Sequence, residues 1–321
     1  MIRKRRVLFN ALTFIPGVTK LPLVRRILQR RVTGTGGTNA ARYCYSVWLR
    51  HLVLAAEAGK NTQAKSVAEL GPGDSIGVGL AALLSGAERY CAFDVVAHAN
   101  PMRNLEIFDE LVALFRARAN IPDDAELPEV SPRLNDYRFP RGILTEDRLT
   151  QSLASERVAN IRSSIADCTS KNSLVQYRAP WYDEQTIERD SIDMIFSQAV
   201  LEHVDQLVSS YRTMRLWLAP DGFMSHVIDL KSHGWAQEWN GHWTYSDFIW
   251  KLVRGKDVWM INREPASRHI QILAEQGFRV HCQDRTTLPS RITMRQLAAR
   301  FRDMPEEDLT TSGLFIHATR T

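Results

Sequence analysis

Two carboxylates and a pair of glycines are the first residues in this chain whose types and spacing could do chemistry. The stretch VAELGPGDSIG (67–77) places Glu69 two residues before Gly71, and Gly73 follows closely. Glycines in such a turn let the backbone approach a ligand, and the helix that should follow offers free N–H groups. Asp94 ends the next apolar run. This pattern is typical of a nucleotide-binding α/β fold.

The acid at Glu69 indicates which ligand the turn would accept. A pyrophosphate is anionic and would be repelled, whereas a cationic ligand would be attracted. S-adenosylmethionine carries an ammonium and a sulfonium group and has no phosphate. A carboxylate at Asp94 can accept hydrogen bonds from both hydroxyls of a ribose. A nicotinamide dehydrogenase is disfavoured because the glycines at 71, 73 and 77 do not form a G-x-G-x-x-G pattern.

A second group of candidate residues follows the fifth predicted strand. SHVIDLKSHGW contains His226, Asp229 and His233, and WNGHWTY adds His242 among tryptophans and a tyrosine. Ligands of parallel sheets bind beyond the carboxyl ends of the strands. A hydroxyl acceptor benefits from a general base whose pKa is near neutral. We therefore predict His233 or His242 as the base, with His226 and Asp229 orienting it.

Two other interpretations of these histidines stay open. They could ligate a divalent metal, but the ligands are few and their spacing is not diagnostic, so the predicted site contains no metal. They could also be core side chains that pack among the tryptophans. His226 and Asp229 point to opposite faces of an ideal strand, so they converge only if the strand ends between them.

The elements that must position these residues alternate along the chain. SVAEL is a predicted strand, a helix ends at Gly86, and RYCAFDVV (89–96) is a second strand, which together indicate a βαβ unit and a parallel sheet. Further strands follow at 174–179, 192–197, 223–230, 278–284 and 313–320. We also predict a helix over 199–218 and a basic helix around 292–302.

These motifs resemble the Rossmann-like (class I) SAM-dependent methyltransferases. The family's acid followed by G-x-G is matched by Glu69, Gly71 and Gly73, and its second-strand acid by Asp94. SIDMIFSQAVLEHV (191–204) matches the fourth-strand segment and LAPDGF (218–223) the turn after the next helix. The resemblance covers 65–321 in outline. The third glycine is replaced by Ser75, and YRAPW (177–181) stands at the adenine-side strand end.

The resemblance implies a fold, a cofactor and site residues. The fold is α/β, a seven-stranded and mostly parallel sheet with a reversed last strand, flanked by helices. The cofactor is S-adenosylmethionine, and Ser197 and His203 lie on the wall of its pocket. A narrower similarity to bacterial methyltransferases of polysaccharide and glycolipid gene clusters implies a small-molecule or glycan acceptor, with a sugar hydroxyl preferred. Insertions near 97–172 and 232–263 are expected to roof the acceptor site.

Charge divides the chain into a basic extension, 1–60, and a domain, 61–321. Residues 1–56 hold eleven Lys or Arg and no acid, so the remainder of this +5 chain is net acidic. We expect no nucleic-acid partner, and contact of 1–31 with an anionic membrane surface and a lipid-linked acceptor. Neither a signal peptide nor a spanning segment is predicted. Four scattered cysteines indicate reduced thiols and hence the cytoplasm. With the basic N-terminus, this predicts a location at the inner membrane face. The alternatives are a nucleic-acid methyltransferase and a non-catalytic, membrane-associated relative.

Overall fold

The computed structural model describes most of the chain outside the basic N-terminus. The described residues are 10, 12–15, 17–21, 37–96, 100–168, 170, 173–181, 184–255 and 260–321. Most of the basic segment 1–31, which is predicted to contact a membrane surface, lies outside them. No helix among the described residues combines the length and apolar character needed to cross a bilayer.

Seven strands form one sheet in the order β3-β2-β1-β4-β5-β7-β6. Strands β1 to β5 pair in parallel, and β7 runs antiparallel to both of its neighbours. The predicted fold, a mostly parallel seven-stranded sheet with a reversed last strand, is confirmed. The strands are β1 (Ser66–Leu70), β2 (Arg89–Phe93), β3 (Val175–Arg178), β4 (Ile192–Gln198), β5 (Leu218–Asp229), β6 (Phe278–Thr287) and β7 (Thr311–Arg320).

Helices cover both faces of the sheet, as parallel strands require. The helices are α1 (Ala41–Glu57), α2 (Gly77–Leu84), α3 (Pro101–Ala117), α4 (Glu146–Ser152), α5 (Ser155–Ala166), α6 (Leu207–Trp217), α7 (Asp247–Arg254) and α8 (Ala266–Glu275). Helices α1 to α5 share one apolar core, and α6 and α8 pack on the other face. Helix α1, which the sequence assigns to the N-terminal extension, is thus part of this core.

The helix predicted over 199–218 is wrong in its first half. Helix α6 begins only at Leu207, and Leu201–His203 forms a single 3₁₀ turn. The side-chain amide of Asn262 donates to the carbonyls of Leu201 and Val204, both at 2.8 Å. These bonds occupy carbonyls that a continuous helix would use, so a distant residue overrides the local helical pattern.

The basic helix predicted around 292–302 is also wrong. Two short 3₁₀ helices, Met294–Gln296 and Ala299–Phe301, occupy this stretch. The backbone N–H of Ala298 donates to the carbonyl of Trp243 at 3.0 Å. This bond connects the segment to the 232–263 insertion, which we call the aromatic insertion. Phe301 is buried in a small cluster around the same tryptophan. Tertiary packing therefore decides the path here.

Candidate functional site

The crevice that could bind a ligand lies where the strand order reverses. Successive strands extend the sheet in one direction from β1 through β2 to β3, and in the other from β4 to β5. In open α/β sheets the ligand binds beyond the carboxyl ends of the strands at this switch point. The turn at 71–76 follows β1, and the segment 199–204 follows β4. Both predicted cofactor segments therefore border one crevice.

Glu69 lies on the core side of the turn and supports it. Its side chain is buried, and Tyr90 donates a hydrogen bond to it. Burial raises the pKa of Glu69 to about 8, although hydrogen bonds from Tyr90 and the backbone of Gly79 oppose that shift. A Cβ at Gly79 would lie 1.9 Å from the Tyr90 ring, so only glycine lets the ring pass beneath α2. Glu69 thereby connects β1, β2 and α2.

Gly71 and Gly73 shape the turn itself. Their φ angles are +62° and +74°, the left-handed region that favours glycine. The N–H of Gly71 donates to the carbonyl of Phe93 at 2.8 Å, which fixes the turn against the end of β2. A Cβ at Gly71 would lie 2.6 Å from the side chain of Val200. The turn therefore packs directly against the segment that follows β4.

Asp94 stands at the end of β2, beside this turn. It is buried, and its carboxylate accepts a hydrogen bond from the N–H of Val95 at 2.7 Å. A charge-assisted bond of this kind holds the side chain in one orientation.

The departure at Ser75 has a structural explanation. Its hydroxyl donates to the carbonyl of Thr38 and accepts from the N–H of Gly77 at 3.1 Å. The side chain of Thr38 in turn accepts from the N–H of Asp74 at 3.1 Å. The serine thus satisfies an N–H at the start of α2 and attaches the segment before α1 to the turn.

Ser197 and His226 form a buried pair on adjacent strands. The Ser197 hydroxyl lies 2.8 Å from Nδ1 of His226. Burial is the main cause that lowers the pKa of His226 to about 3, and the neighbouring His51, His269 and His317 contribute to the same shift. His226 is therefore neutral at physiological pH and pairs with Ser197. Asp229 contacts His233 instead.

Four side chains meet beyond the ends of β4 and β5. One donor atom each from Glu202, His203 and His233 lies within 4.8 Å of the other two. Oδ2 of Asp229 lies 3.5 Å from Nε2 of His233. The rings of His203 and His233 are 5.1 Å apart between centroids. We call these four residues the Glu–His cluster. The structure brings His203, which the sequence assigned to the cofactor pocket, next to His233 and Asp229, which it assigned to the acceptor site, and adds Glu202.

Glu202 is the unusual member of the cluster. It is 2% exposed, and neither carboxylate oxygen has a hydrogen-bond partner of good geometry among the described residues, although the nearby backbone of Glu202 and Asp229 favours its charged form. Burial raises its pKa well above the usual range, and the charge of Asp229 adds to that effect. For Asp229, burial alone would raise the pKa, but the hydrogen bond and charge of His233 bring it below its usual value.

His242 lies apart from the cluster, inside the aromatic insertion. It is buried, and its ring is 4.6 Å from that of Trp243 between centroids. Burial lowers its pKa to about 3, and the Arg263 guanidinium contributes in the same direction. A neutral imidazole with so low a pKa is a weak base near pH 7. Of the two histidines predicted as a base, His233 is the one beside a carboxylate.

Sequence reasoning missed a second polar network on the opposite face of the sheet. Nδ1 of His51 lies 2.6 Å from the Ser225 hydroxyl, and Nε2 lies 3.3 Å from Oε1 of Gln198. Gln198 also donates to the carbonyl of Ser131 at 2.9 Å. This network connects α1 and the 97–172 insertion to the end of β4. Its members are far apart in the sequence, so no local spacing could have indicated it.

Comparison with known proteins gives structural matches alone. No family model matches the chain, and no curated protein matches it. A SAM-dependent methyltransferase from Mesorhizobium loti is 14% identical, with a TM-score of 0.39 over 79% of this chain and 90% of that one. Geranyl diphosphate C-methyltransferase from Streptomyces coelicolor is 10% identical, with a TM-score of 0.42 over 85% of this chain and 78% of that one. That structure was solved with Mg²⁺, geranyl diphosphate and S-adenosyl-L-homocysteine. At this overlap the matches carry no argument about activity.

Proposed function

We propose that this chain transfers a methyl group from S-adenosylmethionine to a small-molecule or glycan acceptor, most favourably to a sugar hydroxyl. The observation that carries the proposal is the left-handed turn at Gly71 and Gly73, placed at the switch point of the sheet with Asp94 beside it. A glycine-lined approach and a fixed carboxylate suit a nucleoside that lacks phosphates.

The residues around the crevice fit this cofactor in their chemistry. Asp94 would accept from the ribose hydroxyls, and the glycine turn would lie against the methionine part. The segment at 199–204 would form the opposite wall. When bound, S-adenosylmethionine supplies a methyl group on a positively charged sulfur. The protein's task is then to orient the acceptor oxygen, exclude water and accept its proton.

A cavity in the aromatic insertion supports a sugar-like acceptor. Its volume is about 410 Å³, and it is open to solvent on one side. Glu238 is the one charged side chain on its wall, which disfavours a polyanionic acceptor. Amide, hydroxyl and aromatic groups are what a sugar ring needs. The lining residues are Ala236, Gln237, Glu238, Gly241, Thr244, Tyr245, Ile292 and Gln296.

The test of this function is calorimetric titration with S-adenosylhomocysteine. We expect the wild type to bind with a dissociation constant of about 1 μM, or roughly −8 kcal/mol. The Asp94→Ala variant should bind at least about tenfold more weakly, because two charge-assisted hydrogen bonds are lost. Asp136→Ala is the matched control, since it removes an exposed carboxylate that pairs with Arg138. A folded wild-type chain that binds no S-adenosylhomocysteine would contradict the proposal.

We also propose that the protein contacts an anionic membrane surface. Leu12, Phe14 and Ile15 are exposed, as are Phe248 and Ile249 on α7. Asn10 donates to the carbonyl of Val253 at 2.5 Å, so the N-terminal segment is attached to α7 and the apolar side chains share one region. Positive charge along the first 31 residues would add attraction to acidic lipids.

Co-sedimentation with phosphatidylglycerol vesicles tests the membrane contact. Burying an exposed Phe contributes about 2 kcal/mol, so a Phe248→Ser, Ile249→Ser double variant should partition at least about tenfold less. Leu288→Ser removes an exposed apolar side chain from a different part of the surface and should leave partitioning unchanged. Equal sedimentation of all three proteins would rule out this surface as the contact.

A further inference from the structure

The Glu–His cluster has the composition of a metal site. Two imidazoles and one or two carboxylates are donors that suit first-row transition metals, Zn²⁺, Fe²⁺, Mn²⁺ and Co²⁺ among them. Three of these donors, from Glu202, His203 and His233, come from two loops that meet at the switch-point edge of the sheet. They are therefore brought together by the fold and not by a local sequence motif.

Glu202 supplies the second, independent observation. A carboxylate that is 2% exposed and has no hydrogen-bond partner of good geometry among the described residues is costly to maintain, by several kcal/mol if it is charged. Buried carboxylates are normally paired or coordinate a metal. The carboxylate lies beside two imidazoles, and a cation between them would satisfy all three groups at once.

The backbone around Glu202 is built to keep it there. The N–H of Asn262 donates to the carbonyl of Glu202 at 2.6 Å, and its side chain holds the carbonyls of Leu201 and Val204. The 3₁₀ turn is thus fixed by three hydrogen bonds from one residue of the aromatic insertion. A site on so rigid a turn can hold a donor in place without a ligand present.

Asp229 and Lys231 complete the surroundings. Asp229 contacts His233, and a carboxylate beside an imidazole is the usual way to orient a metal-binding histidine. The ammonium of Lys231 lies 3.4 Å from Asp229 and 3.5 Å from Glu129. Lys231 therefore offsets the charge of Asp229, which leaves Glu202 as the carboxylate that a cation could bind.

We propose that Glu202, His203 and His233 bind a divalent transition-metal ion, with Asp229 orienting His233. Metal–ligand bonds of about 2.1 Å require donors roughly 3 to 4 Å apart. The present separations are within 4.8 Å, and His233, whose side chain is 30% exposed, has room to move toward the other two donors.

The role of the ion rests on the proposed methyltransferase function. Bound to an acceptor hydroxyl, the ion would lower the pKa of that hydroxyl and hold its oxygen in place. The O–H proton would leave to solvent. The oxygen would form the new bond to the methyl carbon as the carbon–sulfur bond breaks, and the electron pair of the broken bond would stay on sulfur. His233 serves as a ligand in this arrangement, and the metal replaces a free imidazole as the activating group.

Titration of the metal-free protein with Co²⁺ tests the site without any methyl donor. We expect one equivalent to bind, with visible ligand-field absorption. Glu202→Gln and His233→Ala should each weaken binding at least about tenfold. His281→Ala removes an exposed histidine on β6 and is the control for surface binding. Wild-type protein that binds no Co²⁺, Mn²⁺ or Zn²⁺ up to about 1 mM, or unchanged binding in both variants, would overturn the proposal.

Thermal unfolding separates a metal ligand from a structural carboxylate. Without metal, Glu202→Gln should melt at a higher temperature than the wild type, because a buried unpaired acid is replaced by an amide. Added metal should raise the melting temperature of the wild type and not that of the variant. A variant that is less stable both with and without metal would assign Glu202 a purely structural role. Titration with S-adenosylhomocysteine is independent of this result, so failure of the metal site and failure of the proposed function can be told apart.

Discussion

A Gly71→Ala variant is expected to bind S-adenosylhomocysteine about a hundredfold more weakly than the wild type. The φ angle of +62° costs an alanine about 1 kcal/mol, and the added Cβ would lie 2.6 Å from Val200. Relief of this overlap would move the turn away from the segment after β4 and so misplace one wall of the crevice. The two costs together, about 3 kcal/mol, correspond to about two orders of magnitude in affinity.

Matched variants separate the two costs at Gly71. Gly59 has a φ of +65° and no atom within 4 Å of an added Cβ, so Gly59→Ala measures the backbone cost without a clash. Adding Val200→Ala to Gly71→Ala removes the clash and should recover about tenfold of the lost affinity. If Gly71→Ala binds as tightly as wild type, the turn does not line the cofactor site. Calorimetric titration of the wild type and the Gly71 variants decides between these outcomes, and urea unfolding of Gly59→Ala gives the backbone cost.

An Arg263→Met variant is expected to lose about 3 to 5 kcal/mol of unfolding free energy. The guanidinium is buried and donates to the carbonyl of Tyr245 at 2.7 Å and to Asp247 at 2.5 Å. It also lies between the rings of Trp250 and Phe301, at 4.9 and 5.0 Å from their centroids. Removing it leaves buried carbonyls without a donor and two aromatic faces without their cation.

Urea unfolding measures this loss of unfolding free energy, and two further variants show what causes it. Arg263→Lys keeps the charge but not the planar fork of donors, so it should also be destabilised. Arg300→Met removes a neighbouring, partly exposed arginine that pairs with Asp247 and Glu264, and should cost less than about 1 kcal/mol. Equal effects of the two methionine variants would mean that the burial of Arg263 contributes nothing special. A large loss would identify Arg263 as the centre of the aromatic insertion.

The sheet could be predicted from the sequence because its signals are local. Short apolar strands, a helix between them and glycine turns recur at intervals that a βαβ arrangement requires. Glu69, Gly71 and Asp94 were identified from their position at predicted strand ends, and the structure places all three at one edge. The sequence could not indicate which way the Glu69 side chain points. It faces the core beneath α2, where Tyr90 and Gly79 contact it.

The Glu–His cluster shows what required the tertiary structure. LEHV reads as the start of a helix, yet Asn262, about sixty residues later, holds it in a 3₁₀ turn. No α-helix forms here because hydrogen bonds from a distant residue occupy the carbonyls that the helix would use. The sequence placed His226, His233 and His242 in one candidate site and could not choose between His233 and His242 as the base.

Burial separates those three histidines, and burial depends on the whole fold. His226 is bonded to Ser197 within the sheet, His242 packs on Trp243, and His233 alone is exposed beside an acid. The sequence by itself therefore determined the succession of strands and helices, the glycine turn after β1 and the acid at the end of β2, because each depends on short-range pattern. The tertiary structure decided which polar groups are neutral, which are paired, and that Glu202 meets two imidazoles, because desolvation and long-range contacts control all three.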